Sequence, residues 1–421
     1  MSPSRSTPTL IVFSLWLLVF AASSQIMIIS PILPRIGEEL GIAESVLGTL
    51  ISAYSLMVGA FAIIAGPISD KIGRRRILLL GSGLMTIALL MHHFVVGYYS
   101  FLAVRVGAGL AGGILSGSAV AYVGDYFPYN RRGWATGWVM SGMAAGQIAG
   151  IPLGIVLAGS FGFRAPFYLF SAAMGMTCIL IWFRVPQPDV RRTEGRLSVG
   201  RAIAGYKTLL GRKDIASATV AYFLMFVGVS LFVVYLPYWL EQDLGVTPGA
   251  IAIMFVVGGI ANVLTGPQAG RLSDRIGRKR IVILSSLGLA VVMTLTTWVV
   301  RDVTSAYILF FLTMVLVAMR ISPFSALLTA LVSDDRRGSL MSLAVAIGQV
   351  GFAMGAALAG PLYTRFGFAA DTVLGAIAVV AMAAVVGYLV PEPKVESAAA
   401  PVAKRQGGPP PQVGARQGEL R

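Results

Sequence analysis

Charge is scarce in this chain. Asp, Glu, Lys and Arg make up 12% of its 421 residues, about half of what a soluble domain spends on its water-facing surface. Cys178 is the only cysteine, which excludes an intrachain disulfide and makes thiol redox chemistry an unpromising reading. No GxxxxGK(S/T) loop is present, so ATP held by such a loop is not the energy source. Neither a metal-ligand cluster nor a nucleophile with its general base can be picked out. The chain therefore reads as a non-enzyme without a cofactor. In place of these features it is 56% hydrophobic, with a mean hydropathy of +0.80. Apolar runs of about 20 residues, the length that crosses a bilayer, recur along almost all of it.

The few charges are mostly basic, with a net charge of +15. In a soluble protein that balance suggests nucleic acid; here its distribution argues otherwise. With Met1 placed in the cytoplasm and sides alternating, all but six of the 33 Lys and Arg residues fall in cytoplasmic loops and termini. Arg35, Arg164, Arg301 and Arg365 lie outside, and Arg105 and Arg320 lie within spans. This is the positive-inside pattern. It predicts a multi-pass protein of the inner (cytoplasmic) membrane with both termini cytoplasmic and no nucleic-acid partner. Leu10 to Phe20, followed by Ala-Ala-Ser-Ser, has the look of a cleavable signal, but the apolar run continues to Leu33 and reads as a retained first helix.

The chain repeats itself. Gly66-Pro-Ile-Ser-Asp70-Lys-Ile-Gly73-Arg74-Arg75-Arg76 recurs as Gly270-Arg-Leu-Ser-Asp274-Arg-Ile-Gly277-Arg278-Lys279-Arg280. Arg131-Arg132-Gly133 recurs as Arg336-Arg337-Gly338, and Phe161-Gly162-Phe163 as Phe366-Gly367-Phe368. The offset is 204 residues for the first anchor and 205 for the other two, so the chain is a duplicated half. The expected fold is an all-α membrane protein, twelve transmembrane helices in two pseudo-symmetric six-helix bundles. Residues 1–184 form the first bundle, 185–214 a basic cytoplasmic linker and 215–390 the second bundle. Residues 391–421, rich in Pro, Gly, Gln and Ala, read as a disordered tail.

The GxxxD(K/R)xGRR motif after the second span, with its repeat after the eighth, resembles the signature of the major facilitator superfamily. Length, span count and linker position agree with it over nearly the whole chain. The resemblance implies rocking of the two halves about a site near the bilayer midplane. It also implies that the motif is a conformational latch: Gly66, Asp70, Gly73 and Arg74 with Asp125 as third member, and Asp274, Gly277 and Arg278 in the second half. There, Asp334 and Asp335 are alternative third members. Charges at the bilayer edge suit a contact that holds one state and releases in the other.

Arg105 in the fourth span resembles the family's RxxxG arginine, implicated in proton coupling. It shares a stripe with Gly109, Gly113 and Gly117, a spacing that permits close helix approach. A guanidinium inside a membrane costs at least about 2.5–3.5 kcal/mol and should face the interior with a partner. The fifth span carries Gly142, Gly146, Gly150, Pro152 and Gly154, resembling the motif of the exporter branch, although the order here is Gly-Ile-Pro-Leu-Gly rather than a direct Gly-Pro pair. Arg320 in the tenth span is either a cavity cation for an anionic group or an arginine bound to carbonyls freed by Pro323. Tyr235 and Tyr238 are an interfacial belt or a cavity wall. Gln25, Tyr54, Gln147, Asn262 and Gln349 are neutral polar residues within spans, some of them expected along a cavity. His92 and His93 read as solvated residues at a helix end.

No acid falls in the middle third of a predicted span, which departs from the simple proton-antiporter pattern. Three readings follow. The first is an exporter of small amphipathic or drug-like solutes resembling the drug/proton antiporter branch, proton-coupled and monomeric in the lipid bilayer. The second is a transporter of anionic or lipid-like solutes held by Arg105 and Arg320. The third, of another class, is a membrane sensor or scaffold on a transporter fold.

Overall fold

The computed structural model describes residues 8–188, 199–333 and 336–392. Within them the fold is all-helical: α1 (Pro8–Met27), α2 (Ile29–Leu40), α3 (Glu44–Ile72), α4 (Arg74–Leu90), α5 (Tyr98–Leu115), α6 (Ser118–Tyr126), α7 (Tyr129–Ala145), α8 (Ile151–Phe161), α9 (Ala165–Arg184), α10 (Val199–Leu210), α11 (Lys213–Gln242), α12 (Pro248–Ile276), α13 (Arg278–Val299), α14 (Val303–Thr329), α15 (Arg337–Phe366) and α16 (Phe368–Leu389). Twelve spans among the described residues are long and apolar enough to cross a bilayer, as expected. The predicted linker contains the short helix α10, and the predicted tail beyond Glu392 lies outside the described residues.

Several spans are broken where the sequence removes a backbone donor or admits a left-handed residue. The first breaks between α1 and α2 at Ile28, ahead of Pro31 and Pro34. The fourth breaks between α5 and α6, because Gly117 takes φ +72°, a conformation that costs glycine little. The fifth widens into a π turn at Gly146–Gly150 just before Pro152, whose ring crowds the preceding turn and donates no N–H.

Helix pairing repeats between halves, as a duplication requires. In the first half α1 packs on α7, α3 on α5, and α4 on α9; in the second α11 packs on α15, α12 on α14, and α13 on α16. The glycines set these distances. A Cβ on Gly142 would lie 2.6 Å from the Trp16 carbonyl oxygen, and one on Gly146 2.5 Å from Ser23 Oγ. On Gly150 and Gly154 it would meet Ser24 Cβ and Ile28 Cγ1, both at 2.7 Å. Gly109 and Gly113 seat α5 on α3 in the same way, against Met57 Cβ and Phe61 Cβ. Gly142→Leu is accordingly expected to destabilise the first bundle by about 2–3 kcal/mol or more. A thermal-unfolding transition within 1–2 °C of wild type, as small as an uninvolved surface residue would give, would refute this packing role.

The halves meet chiefly through α3 against α15 and through α12 against α8 and the π turn. With twelve spans between them, the first and last described residues and the described basic loops fall at one end of the bundle, called the basic end below; the opposite end is the far end.

Candidate substrate path and gates

Each of the two matching motif loops is built around a glycine in a conformation that L side chains rarely adopt: Gly73 at φ +100° and Gly277 at +102°. In the first half, Arg74 Nε donates to Asp125 Oδ2 at 2.6 Å and its Nη1 to Ser69 Oγ at 2.9 Å. In the second, Arg278 Nη2 meets Asp274 Oδ1 at 3.2 Å within one helix turn, while Nη1 donates to the Ala326 carbonyl at 3.3 Å. The side chains of Gly66 and Asp70, and the whole of Asp334 and Asp335, lie outside the described residues.

Both loops carry a further tie that the sequence reading missed. The Arg75 amide donates to Gln187 Oε1 at 3.1 Å, and the Lys279 amide to Glu392 Oε1 at 3.3 Å. These acceptors satisfy an exposed N–H at the start of α4 and of α13. They occupy equivalent places in Val185-Pro-Gln-Pro188 and Val390-Pro-Glu-Pro393, a fourth repeat legible in the sequence. Tyr122 adds a bond to the Pro186 carbonyl at 2.6 Å.

Inside the first bundle, Arg105 is wholly buried with Gln25 and Tyr54. Its Nε donates to the Leu50 carbonyl at 3.4 Å and its Nη1 to Gln25 Oε1 at 3.3 Å. The guanidinium lies 4.4 Å above the Tyr54 ring, whose hydroxyl accepts from Gln25 Nε2 at 2.9 Å. The charge is thus met by dipoles and a π face, with no carboxylate in the set. Arg320 is also wholly buried, but none of its Nε, Nη1 and Nη2 has a hydrogen-bond partner among the described residues. The alternative in which carbonyls freed by Pro323 hold it is therefore not what the structure shows.

Between the halves, Asn262 Nδ2 meets Gln147 Oε1 at 3.5 Å, and Gln147 Nε2 approaches Met314 Sδ at 4.0 Å. Gln349 lies where α15 crosses Gly59 of α3. Gln25 and Tyr54, by contrast, face Arg105 within one bundle.

The far end is closed by polar bonds between halves. Pro237 leaves the Val233 carbonyl without its helical donor, and Ser30 Oγ donates there and to the Val234 carbonyl, both at 2.9 Å. Tyr235 is fully buried, so it is not an interfacial-belt residue. Its hydroxyl donates to the Glu44 carbonyl at 2.6 Å and accepts from the Gly48 amide at 3.1 Å. Ser52 Oγ donates to the Ala353 carbonyl at 2.6 Å. Tyr235, Tyr238 and Tyr363 form one ring cluster, with centroids 5.4–5.8 Å apart, and the Tyr363 hydroxyl donates to Asp243 at 2.7 Å. Gly48 and Gly360 let α3 and α15 touch beneath it.

Two more far-end residues depart from expectation. His92 is buried, stacked on Phe167 at 3.7 Å, rather than solvated; His93 is exposed and bonds the Tyr168 hydroxyl at 2.7 Å. Asp371, placed by the sequence at the edge of the last span, is fully buried and has no hydrogen-bond partner among the described residues for either oxygen.

Among known proteins, the chain is 25% identical over 366 residues to the uncharacterized MFS-type transporter YwfA of Bacillus subtilis (strain 168), covering 86% of this chain and 88% of that one. It is 26% identical over 378 residues to the multidrug resistance protein MdtG of Yersinia enterocolitica, covering 87% and 90%. The crystal structure of a D-xylose-proton symporter superposes with a TM-score of 0.76 at 18% identity, covering 92% of this chain and 98% of the other. That of the human organic anion transporter MFSD10 gives 0.69 at 18%, covering 90% and 100%. The family model described as Major Facilitator Superfamily matches residues 15–239 and 218–416, so a duplicated twelve-span chain with two matching loop motifs belongs to that superfamily of membrane transporters.

Proposed function

We propose that the protein is a secondary active exporter of small amphipathic solutes, proton-coupled, acting as a monomer in the inner membrane with its basic end in the cytoplasm. The observation that carries alternating access is the far-end closure itself. It consists of a handful of single hydrogen bonds between two halves that are each internally packed, the kind of contact that breaks without unfolding either half. The basic-end pairs Arg74–Asp125 and Arg278–Asp274, each within one half and both formed while the far end is closed, would rearrange as the halves rock. Export is supported by the multidrug resistance name of a relative 26% identical over most of the chain, and sidedness by the basic loops.

The test uses sealed proteoliposomes with an imposed pH gradient, challenged with ethidium, a neutral lipophilic dye and an anionic amphiphile. Dissipation of the gradient by ethidium or the neutral dye supports coupled export. An untouched gradient while a labelled solute crosses rules out the proton coupling.

A second reading, transport of anionic solutes, is favoured by the unbonded guanidinium of Arg320. Arg320→Gln losing flux for the anionic amphiphile alone would support it.

The latch gives a smaller effect. Arg74 and Asp125 are 18% and 24% exposed, so water weakens their attraction. Asp125→Asn is expected to lower the maximal ethidium flux about 3–10-fold with little change in half-saturating concentration. A change confined to the half-saturating concentration would place Asp125 in binding instead.

A further inference from the structure

We propose that Asp371 is a proton-binding site built into the far-end gate: it holds a proton while the gate is closed and loses it to water when the gate opens.

Asp371 lies in the first turn of α16, fully buried, and no donor among the described residues reaches either oxygen. Its surroundings are apolar or already committed. The Thr372 hydroxyl donates to the Ala369 carbonyl at 3.0 Å, and Thr296, the buried hydroxyl at this end of α13, donates to the Val292 carbonyl at 2.8 Å. Phe368, one turn before Asp371, is stacked on Trp239 at 4.9 Å and meets Phe232 at 5.9 Å, both from α11. Below, Gly375 lets Met293 and Leu231 close in. A bare carboxylate without partners is not sustained in such a place; the neutral acid is.

The charged and titratable groups around it are few. Helix α11 presents Tyr235, one turn from the Leu231 that meets Gly375, as Asp371 is one turn from Gly375 on α16, with Tyr238 and Glu241 further along. Helix α13 has no ionisable residue from Ile281 to Val299. Helix α15 brings Tyr363 and the exposed Arg365, and α16 itself has none between Asp371 and Tyr388. No cation among the described residues bonds the carboxylate in the closed state.

The coupling to the gate runs through Tyr235. The phenol at the level of Asp371 on α11 makes both bonds to α3, at the Glu44 carbonyl and the Gly48 amide. Negative charge at Asp371 is therefore adverse to the closed, dry arrangement, and hydration of the carboxylate favours it once release of Tyr235 admits water. Rising pH on the far side should shift the population towards an open far end. This site rests on the chain's own gate and needs no substrate, so it can fail or stand independently of the export reading.

The experiment uses the full chain in lipid nanodiscs, in a Cys178→Ser background with nitroxide labels at Val96→Cys and Arg301→Cys, two exposed far-end positions on opposite halves. Distances are measured by pulsed electron paramagnetic resonance from pH 5 to pH 9 without substrate. The expected result is a long-distance population that rises at least fivefold with pH in this background. Adding Asp371→Asn should abolish the dependence and leave the short distance, and Asp371→Glu should restore a dependence with a displaced midpoint. An unaltered pH response in Asp371→Asn overturns the proposal, as does a parent protein that does not respond. So does an Asp371→Asn protein held open at every pH, which would make the carboxylate an ordinary structural acceptor. Loss of ethidium transport with the pH response intact would instead count against the export reading alone.

Discussion

Arg105→Ala is expected to lower ethidium flux at least about 100-fold, and Arg105→Lys at least about 10-fold. The reasoning starts from burial. Arg105 is inaccessible to water, and its charge is met by the Leu50 carbonyl, Gln25 Oε1 and the Tyr54 face. Hydrogen bonds to a charged group are each worth about 1.5–3 kcal/mol net, so losing two corresponds to roughly a hundredfold change in an equilibrium constant. Lysine keeps the charge but not the planar fork, and it cannot reach the carbonyl and the amide while lying flat on the ring. Gln25 would then lose its guanidinium while still donating to Tyr54. The pair of variants separates coupling from stability, because lysine retains most of the volume. A thermally normal Arg105→Ala protein with flux within threefold of wild type would remove Arg105 from the mechanism.

Tyr235→Phe is the second large effect, and it acts on conformation. The substitution deletes one hydroxyl and with it two bonds between the halves, leaving the Glu44 carbonyl and the Gly48 amide without it. At about 0.5–1.5 kcal/mol for each bond, the closed state should lose about 2 kcal/mol. That is roughly a 30-fold shift in the ratio of closed to open far ends. Hydrogen exchange followed by mass spectrometry reads it directly: amides of residues 44–56 in α3 should exchange up to about 30-fold faster, with the interior of α9 unchanged. Ser30→Ala, removing a donor that divides itself between two carbonyls, should give a smaller change of the same sign. Equal acceleration in both helices would point to general loosening rather than to a gate.

These two residues mark how far the sequence could be read. Arg105 could be singled out because an arginine within an apolar run is conspicuous and needs a partner. Its neighbours Gln25 and Tyr54 could be named as polar residues within spans, yet nothing in their spacing says that both turn to the same guanidinium. Tyr235 could be placed only near a helix end, where belt and cavity readings are equally natural. Its role as a bolt depends on the crossing of α3 with α15, on Gly48 and Gly360 permitting that approach so that the phenol reaches α3, and the neighbouring bond depends on Pro237 releasing a carbonyl for Ser30. Asp371 is missed by such a reading for the same reason: hydropathy along one helix puts it at an edge, and its burial comes from α11 and α13 closing over it.

The sequence by itself determined the membrane class, the twelve spans and the duplication, because each follows from composition and order along one strand of chain. Apolar runs of bilayer length admit little but helices, since unsatisfied backbone groups are not tolerated in lipid. A repeat whose offset varies by a single residue leaves little but two equivalent bundles. The basic loop motifs are likewise local, as are the glycine ladders whose closeness to α1 and α3 the structure then displays. Only the tertiary structure decided which polar groups are paired. Arg105 is bonded through Nε and Nη1 within its own bundle, with Nη2 left over, whereas Arg320 and Asp371 are buried without any side-chain hydrogen-bond partner among the described residues. Pairing is a property of rotation and tilt between helices remote in sequence, and a shift of one residue about a helix axis turns a side chain by about 100°. Hydropathy does not resolve that angle; packing does.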